Sequence, residues 1–283
     1  MAVGKKTAAK HNFFRLIKFY YPRISERTMK ITFLGTGTSQ GVPVIACGCK
    51  VCRSSDLHDK RLRTSALVEV GGKNILIDIG PDFREQMLRT GTSHIDAILV
   101  THPHRDHVAG LDDIRSFNHV QGCAMEIFGR QSTIVALKHD YAYVFEPHEF
   151  KGWPEANLNV VGKDSPFSVA GGIEVVPIAA MHKDMPIFGY RIGDLAYITD
   201  ANFIPEEEFE KLAGTKLLVI NALRKEKHFS HYSLPEALET IAKISPQKAY
   251  ITHLSHQMGF HEEVEKELPP NVHLAYDGLT VIL

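Results

Sequence analysis

The stretch T-H-P-H-R-D-H-V at residues 101–108 directly follows an apolar run at residues 95–100. It holds four potential metal ligands within six positions, namely His102, His104, Asp106 and His107. Imidazole nitrogens and carboxylates suit zinc, manganese or iron, and so dense a set on a turn leaving a buried strand can serve two ions. We therefore interpret the stretch as a metal site rather than as a solvated polar loop.

Three further candidates stand at the ends of other apolar runs. His182 follows one such segment, Asp200 follows a predicted strand at residues 195–198, and His253 follows one at residues 248–252. In order, spacing and placement, the seven residues resemble the ligand set of the metallo-β-lactamase superfamily. The resemblance implies one metal held by His102, His104 and His182, a second held by Asp106, His107 and His253, and a bridging role for Asp200.

Outside these positions the sequence is rich in strands, with helices interspersed. Apolar runs predict strands at residues 30–34, 65–70, 74–79, 95–100, 125–128, 173–178, 188–192, 195–198, 217–220, 249–252 and 280–283. Helices are predicted at residues 81–89, 109–117, 205–212, 234–244 and 261–268, and Ser233 and Glu236 form a capping box for the fourth. Periodicity alone indicates mixed α and β structure, whereas the resemblance implies an α+β fold, the four-layer αββα sandwich.

A second cluster of potential ligands lies in C-G-C-K-V-C at residues 47–52. Three thiols within six positions, in a chain with four cysteines, indicate three zinc ligands that need a fourth. A disulfide is disfavoured because no secretory signal is visible. Cys123 or a histidine could complete the site, and His256 is attractive because it lies three residues after His253.

The order of motifs narrows the family. G-T-G-T-S-Q-G-V-P at residues 35–43, then C-x-C-x-x-C and later H-x-x-H, resembles the phosphoribosyl cyclic phosphate phosphodiesterases of carbon-phosphorus lyase operons. In these enzymes the histidine matching His256 completes a structural zinc site. The resemblance thus implies a structural zinc on Cys47, Cys49, Cys52 and His256, with Cys123 as the alternative fourth ligand.

The expected chemistry is hydrolysis. Two divalent ions, zinc or manganese with iron as a further candidate, can share a water and hold it as a hydroxide aimed at phosphorus. They would also offset the negative charge of a phosphodiester. Asp78 is expected to orient a ligand, Asp106 to share in proton handling, and His231, by resemblance, to assist the leaving group. Arg63 and Lys183 are candidate phosphate contacts, with a solvated surface role equally expected.

Length and composition fit one catalytic domain at residues 29–283. A chain of 283 residues with 44% hydrophobic content can bury a large core, and no stretch is apolar enough to predict a membrane span. The formal net charge of -1 gives no general attraction to nucleic acid. The expected partner is a small phosphodiester substrate, and a homodimer is implied by family analogy only.

Residues 1–28 differ from the rest of the sequence. Seven of them are lysine or arginine, and the single acid is Glu26. We predict a basic extension outside the fold, with a transit peptide or an amphipathic packing helix as alternatives. Because no secretory signal is visible, the protein is expected in the cytoplasm.

Other functions share the ligand set. Ribonuclease Z has the same metal residues and a comparable F-G-Y-R segment, here at residues 188–191, but the cysteine triplet is not its hallmark. A thioester hydrolase of the glyoxalase II type is a further alternative. Diiron oxygen reductases of the superfamily carry glutamate where this chain has His104, so the histidine favours a hydrolase. The pyrroloquinoline quinone biosynthesis protein, similar in its cysteine-rich loop but lacking the usual metal pair, supplies a binding-only alternative.

Overall fold

Two seven-stranded β-sheets form the centre of the molecule in a computed structural model, which describes residues 28–146 and 152–283. The first sheet contains β1 (Lys30–Gly35), β2 (Ser65–Val70), β3 (Lys73–Ile77), β4 (Ala97–Val100), β5 (Met125–Arg130), β6 (Ala156–Val161) and β14 (Thr280–Ile282). Its order is β14-β1-β2-β3-β4-β5-β6. The pairs from β3 to β6 are parallel and the others antiparallel.

The second sheet has the same organisation. It contains β7 (Phe167–Val169), β8 (Ile173–His182), β9 (Met185–Ile192), β10 (Leu195–Ile198), β11 (Leu217–Asn221), β12 (Lys248–Thr252) and β13 (Val272–Leu274). Its order is β13-β12-β11-β10-β9-β8-β7, with the pairs from β10 to β13 parallel. Parallel strands of one sheet end at the same edge, which is where the candidate ligands lie.

Helices cover the outer face of each sheet. They are α1 (Phe83–Thr90), α2 (Arg105–Val108), α3 (Ile114–Gln121), α4 (Gln131–Asp140), α5 (Ala142–Phe145), α6 (Phe209–Leu212), α7 (Leu234–Ile244) and α8 (His261–Glu265). Helices α1, α3 and α4 pack on the first sheet, and α6, α7 and α8 on the second. The α+β fold with αββα layers is confirmed.

The strands read as continuous apolar runs because both of their faces are buried. In β3, Ile75 and Ile77 point into the core between the sheets, where they join Tyr190 and Tyr197 of the second sheet. Leu76 points the other way, into the cluster beneath α1. A strand covered on both sides has no polar face, so alternation is lost from its sequence.

Several weaker elements differ from the sequence prediction. Strands β6, β7 and β13 and helices α4 and α5 were not predicted. Residues 109–117, predicted as one helix, instead contain a 3-10 turn at Leu111–Asp113 and the start of α3, and α2 just before them was not predicted. Gly110 separates the two helices because its backbone N–H donates to the carbonyl of Ile79 at 2.9 Å.

The capping box at the start of α7 is present as predicted. Glu236 accepts a hydrogen bond from the backbone N–H of Ser233 at 2.9 Å, and the side chain of Ser233 caps the helix in return. Apart from Thr28, the predicted basic extension at residues 1–28 lies outside the described residues. Within residues 28–146 and 152–283, none of the helices has the length and apolar character that a bilayer crossing requires.

Candidate metal centre

Strand ends from both sheets converge on the candidate metal centre. His102 lies two residues after β4, Asp200 two residues after β10, and His253 directly after β12, while His182 is the last residue of β8. All four side chains are buried. The parallel register of β10, β11 and β12 brings their carboxyl ends to one edge of the sheet.

The short helix α2 supplies the other candidates. His104 immediately precedes this helix, and Asp106 and His107 lie within it. A Cβ on Gly80 would lie 2.2 Å from the carbonyl oxygen of Asp106, so glycine is needed for this close approach. The backbone N–H of Ile79 donates to the carbonyl of His107 at 2.8 Å. The turn after β3 therefore fixes α2 against the sheet.

His102, His104 and His182 form the first ligand group, with one ligand atom of each within 4.8 Å of the others. Nε2 of His102 lies 3.1 Å from Nδ1 of His104. On the other side of the ring, Nδ1 of His102 lies 3.0 Å from Oγ1 of Thr101. Nδ1 of His182 donates to the carbonyl of Ser230 at 2.7 Å. These contacts engage Nδ1 and leave Nε2 of both rings to face the centre of the group.

Asp106, His107, Asp200 and His253 form the second ligand group. Nε2 of His107 lies 3.2 Å from Oδ2 of Asp106 and 3.3 Å from Oδ2 of Asp200. Nε2 of His253 lies 2.9 Å from Oδ1 of Asp200. A carboxylate oxygen of Asp200 is also within 4.8 Å of a ring nitrogen of His182. Asp200 therefore lies between the two groups, as a bridging ligand would.

Asp78 contacts residues of both ligand groups from the buried side. Its Oδ2 lies 2.6 Å from Nδ1 of His107. Its carboxylate also accepts hydrogen bonds from the backbone N–H and the hydroxyl of Thr101, each at 2.8 Å. Because Thr101 in turn contacts His102, one carboxylate can orient a ligand in each group.

Three residues of the centre have left-handed backbone conformations. The φ angles are 63° at Asp78, 61° at Asp200 and 58° at His253. Such conformations cost about 1 kcal/mol or more for residues other than glycine, and they cluster at functional sites. The side chain of Asn221 holds the turn after Asp200, since it hydrogen bonds both the N–H and the carbonyl of Ala201.

In the absence of cations, the ionisable groups of the centre neutralise one another. Burial disfavours a charge on His253, but Asp200 and Asp106 outweigh burial and raise the pKa of His253 to about 9. Burial also disfavours the carboxylate form of Asp200, yet His253 and His107 hold the pKa of Asp200 well below its ordinary value. Burial lowers the pKa of His102. The protonated imidazole of His253 thus supplies positive charge that a bound cation could replace, with release of the proton.

Several buried ring nitrogens face the centre and lack a hydrogen bond of normal geometry, although carboxylate oxygens lie near those of His107 and His253. Within the described part of the chain, they include Nε2 of His107, Nε2 of His253 and Nδ1 of His231, all buried. A buried polar atom without a well-formed hydrogen bond is costly, so these atoms call for a bound ligand or ion. These nitrogens, together with the carboxylates, match the donor set that zinc, manganese or iron accepts.

His231 lies against both groups. Its ring centroid is 4.6 Å from that of His182 and 4.9 Å from that of His253. Nδ1 lies 3.7 Å from Oδ1 of Asp200. Burial lowers the pKa of His231 to about 3, so the imidazole is neutral at neutral pH. A neutral imidazole can still donate one hydrogen bond to a substrate atom.

The cysteine cluster forms a separate group. Sγ atoms of Cys47, Cys49 and Cys52 lie 3.4, 3.3 and 3.4 Å from Nδ1 of His256. Tetrahedral zinc, with its usual bond lengths to sulfur and nitrogen, requires about 3.5 Å between such atoms. The four residues therefore fit zinc closely. Cys123 is exposed beyond the end of α3 and lies outside the cluster.

Several supporting residues were not assigned from the sequence. Thr101 and Asn221 anchor the two loops that carry ligands, and the carbonyl of Ser230 orients His182. Thr101 and Asn221 are polar residues at the ends of apolar runs, which is a usable signal, whereas a carbonyl acceptor leaves none in the sequence. Arg63, a candidate phosphate contact, instead pairs with Asp82 at 3.0 Å.

Comparisons with known proteins agree with this geometry. The family model for the beta-lactamase superfamily domain matches residues 73–254. A diphosphatase of the PhnP family, known from a crystal structure, is 39% identical with a TM-score of 0.84, over 90% of this chain and 97% of that chain. An octanoyltransferase of Porphyromonas gingivalis is 43% identical over 257 residues, which are 90% of this chain and 52% of that protein.

A ribonuclease Z of Crocosphaera subtropica is 31% identical over 172 residues, which are 59% of this chain and 48% of that protein. The chain spans about half the length of the curated relatives it matches. It spans nearly all of the PhnP-family diphosphatase, so the likeness to that structure extends over the whole fold.

Proposed function

The chain belongs to the β-lactamase superfamily, and on that premise we propose that it is a binuclear metal-dependent phosphodiesterase that opens a small cyclic phosphate. The observation that carries the proposal is the position of Asp200 between two groups of nitrogen and oxygen ligands. One shared carboxylate between two ligand groups is the arrangement that a two-metal hydrolase needs. A metallo-β-lactamase fold with these groups implies divalent metal binding.

The proposed ligands are those that the sequence predicts. His102, His104 and His182 would hold one ion, Asp106, His107 and His253 the other, and Asp200 both. When bound, the ions would lower the pKa of a shared water toward neutrality and offset negative charge on the phosphate oxygens.

The protein residues then orient the ligands and handle protons. Asp78 and Thr101 keep His107 and His102 in the tautomer that leaves Nε2 free. Asp106 is less buried than Asp200, and its carboxylate would accept the proton of the attacking water.

His231 is proposed to assist departure of the leaving group. Its imidazole lies near both groups, and the proposal does not use it as a ligand. Its ring centroid lies within 5 Å of those of His182 and His253, one from each ligand group, so it is placed to contact a phosphate bound between the groups. A hydrogen bond from His231 would stabilise negative charge developing on the leaving oxygen.

Hydrolysis of a linear diphosphate is the second candidate. The PhnP-family structure that matches this chain at 39% identity is a diphosphatase. A diphosphate bond and a phosphodiester bond differ in the leaving group, which is a phosphate in one and an alkoxide in the other. In both reactions water attacks a phosphorus atom, so either substrate would suit the two ligand groups.

Three alternative functions have weaker support. A ribonuclease Z activity has support from a relative of which this chain spans 48%. Thioester hydrolysis would suit the acyl chemistry named for the octanoyltransferase, but the chain spans 52% of that protein. A binding-only protein without active-site metals would leave the buried Nε2 atoms of His107 and His253 beside carboxylates but without a hydrogen bond of normal geometry.

The test is hydrolysis by protein reconstituted with manganese or zinc. The substrates are bis-p-nitrophenyl phosphate, ribose 1,2-cyclic phosphate and ADP-ribose, the last as a linear diphosphate. His104→Ala removes a proposed ligand, and His139→Ala, which changes an exposed histidine on α4, is the matched control.

We expect turnover of the cyclic phosphate by the wild type and by His139→Ala, and its loss in His104→Ala. Turnover of ADP-ribose alone would favour the diphosphate candidate. No turnover of any of the three substrates, with both metals bound, would contradict the phosphodiesterase proposal and favour thioester hydrolysis.

A further inference from the structure

Four ring-bearing side chains lead from the metal centre to the protein surface. His253, His231, His228 and Phe229 follow one another with centroid distances of 4.9, 5.3 and 4.4 Å. His253 is 1% exposed, whereas Phe229 is 69% exposed. These four rings connect His253, a proposed metal ligand, with the large exposed ring of Phe229. An isolated exposed phenylalanine needs no explanation, but one joined by stacked rings to the reaction centre is placed to meet substrate.

Lys183 brings a positive charge to the same place. Its Nζ lies 5.6 Å from the ring centroid of Phe229. Nζ of Lys183 also lies 3.8 Å from a carboxylate oxygen of the neighbouring Asp184, and both side chains are largely exposed. An exposed pair of this kind contributes little, so the ammonium can exchange it for a stronger anionic partner.

The backbone at Lys183 also indicates a specific role. Lys183 and Asp184 form the two-residue turn between β8 and β9, directly after His182. The φ angle of Lys183 is 55°, a left-handed conformation that favours glycine or asparagine in such turns. The side chain of Asn202 accepts a hydrogen bond from the N–H of Lys183 at 2.7 Å. Lys183 thus occupies a turn position where glycine would be less strained, and the hydrogen bond to Asn202 holds its backbone in place.

We propose that Lys183 and Phe229 form a subsite for a nucleotide portion of the substrate, with the base stacked on Phe229 and a phosphate oxygen at the Lys183 ammonium. This inference rests on the proposed function, which identifies a phosphate ester or diphosphate bond as the bond that is hydrolysed. The subsite would narrow the substrate class to phosphate esters or diphosphates that carry a nucleoside.

The chemistry of the two side chains distinguishes this ligand from others. A flat aromatic ring offers a stacking face to any nucleobase. A flexible lysine ammonium contacts phosphate oxygens as a point charge. An acyl chain would use the ring but not the ammonium, and a small sugar phosphate would use the ammonium but not the ring. A nucleotide uses both.

Binding can be measured separately from turnover. The metal-loaded full chain is titrated calorimetrically with AMP, ribose 5-phosphate and octanoate. AMP and ribose 5-phosphate share the sugar and the phosphate, so their affinity ratio reports the base. Phe229→Leu keeps an apolar side chain but removes the ring. Lys183→Asn removes the charge and keeps a residue that tolerates the left-handed turn.

Two surface variants serve as controls. Lys163→Asn changes an exposed lysine that, like Lys183, lies beside an aspartate that follows it in sequence, at 3.9 Å. Leu88→Ala changes an exposed apolar side chain on α1, on the outer layer of the first sheet. Metal content is measured for every variant, so that a loss of ions is not mistaken for a loss of the subsite.

We expect the wild type to bind AMP about tenfold more tightly than ribose 5-phosphate, the size of one base–aromatic stacking contact. Phe229→Leu should abolish that ratio, Lys183→Asn should weaken both ligands, and both controls should match the wild type. Equal affinities in the wild type, a ratio unchanged in Phe229→Leu, or binding of octanoate in place of AMP would overturn the subsite. If AMP binds as expected while no phosphate substrate is hydrolysed, the subsite stands and the proposed function fails.

Discussion

The cysteine cluster and the histidine–aspartate centre lie at the two ends of residues 253–256, yet the protein encloses them differently. In the cysteine cluster, three thiols surround Nδ1 of His256 at nearly equal distances and leave no further ligand position. The other centre has two ligand groups around Asp200, with His231 and the exposed Phe229 beyond them. A closed set of four ligands is typical of structural zinc, whereas a catalytic site keeps a position open.

Two backbone hydrogen bonds hold the connection between the sites against neighbouring segments. The backbone N–H of Leu254 donates to the carbonyl of Thr36 at 2.9 Å, and that of Ser255 donates to the carbonyl of Leu223 at 3.0 Å. A metal ion at the cysteine cluster would therefore tie the loop at residues 47–52 to the strand end that carries His253. We infer that the cysteine cluster, the closed site, supports the geometry of the histidine–aspartate centre, the open site.

The largest effect should come from removing a ligand of the open site. His104 is exposed, so His104→Ala should change the free energy of unfolding little. Loss of one proposed active-site ion should reduce kcat/KM at least about a thousandfold, since such an ion supplies several kcal/mol of transition-state stabilisation. Steady-state kinetics and thermal unfolding of the metal-loaded protein provide the measurement. If His104→Ala retained its activity, the open site would not have the catalytic role that distinguishes it from the closed site.

Removal of a ligand from the closed site should affect mainly the free energy of unfolding. Cys52→Ala should remove one zinc per chain and lower the free energy of unfolding by about 4 kcal/mol or more, as loss of a structural metal does. Urea unfolding and metal analysis measure both quantities. Cys123→Ala is the matched control, because Cys123 is exposed and outside the cluster. If Cys123→Ala lost zinc and Cys52→Ala did not, the assignment of the closed site would be wrong.

A smaller effect is expected at Asp78, which contacts the open site through His107 and Thr101. Asp78→Asn keeps the size of the side chain but weakens the contact with His107. Metal affinity or activity should fall about 10- to 100-fold, the range for residues that orient ligands. Asp96→Asn, in the connection between α1 and β4, should leave metal affinity unchanged. Equal metal affinity in wild type and Asp78→Asn would show that Asp78 does not orient the ligands.

The smallest effect concerns pH. In the metal-free protein, the pKa of His253 is raised to about 9 from an ordinary 6.5. A raised folded-state pKa means that the charged imidazole stabilises the fold fully below about pH 6.5, and this contribution is lost as the pH rises through about 9. Urea unfolding of the metal-free protein should show that decline, and His253→Gln should flatten it. A stability that rises over this window would contradict the charge pairing at the open site.

The sequence predicts the ligands of the open site unequally well. The ligands at residues 102–107 are recognisable on their own because a dense polar turn follows an apolar strand. His182 and His253 are single histidines, and only their resemblance to a complete ligand set identifies them. Among the elements missed, β6 at Ala156–Val161 is an edge strand with two asparagines, so neither apolar content nor β propensity marks it. The carbonyl of Ser230 that orients His182 is a backbone group, which no side-chain pattern can indicate.

Metal content tests the contrast between the sites most directly. Elemental analysis of the wild type, His104→Ala and Cys52→Ala, each dialysed after loading, counts the ions held by each site. We expect about three ions per chain in the wild type, two at the open site and one at the closed site. His104→Ala should lose ions from the open site and keep its zinc, and Cys52→Ala should lose the zinc and keep ions at the open site. A wild type with one ion per chain, or the same loss in both variants, would contradict the account.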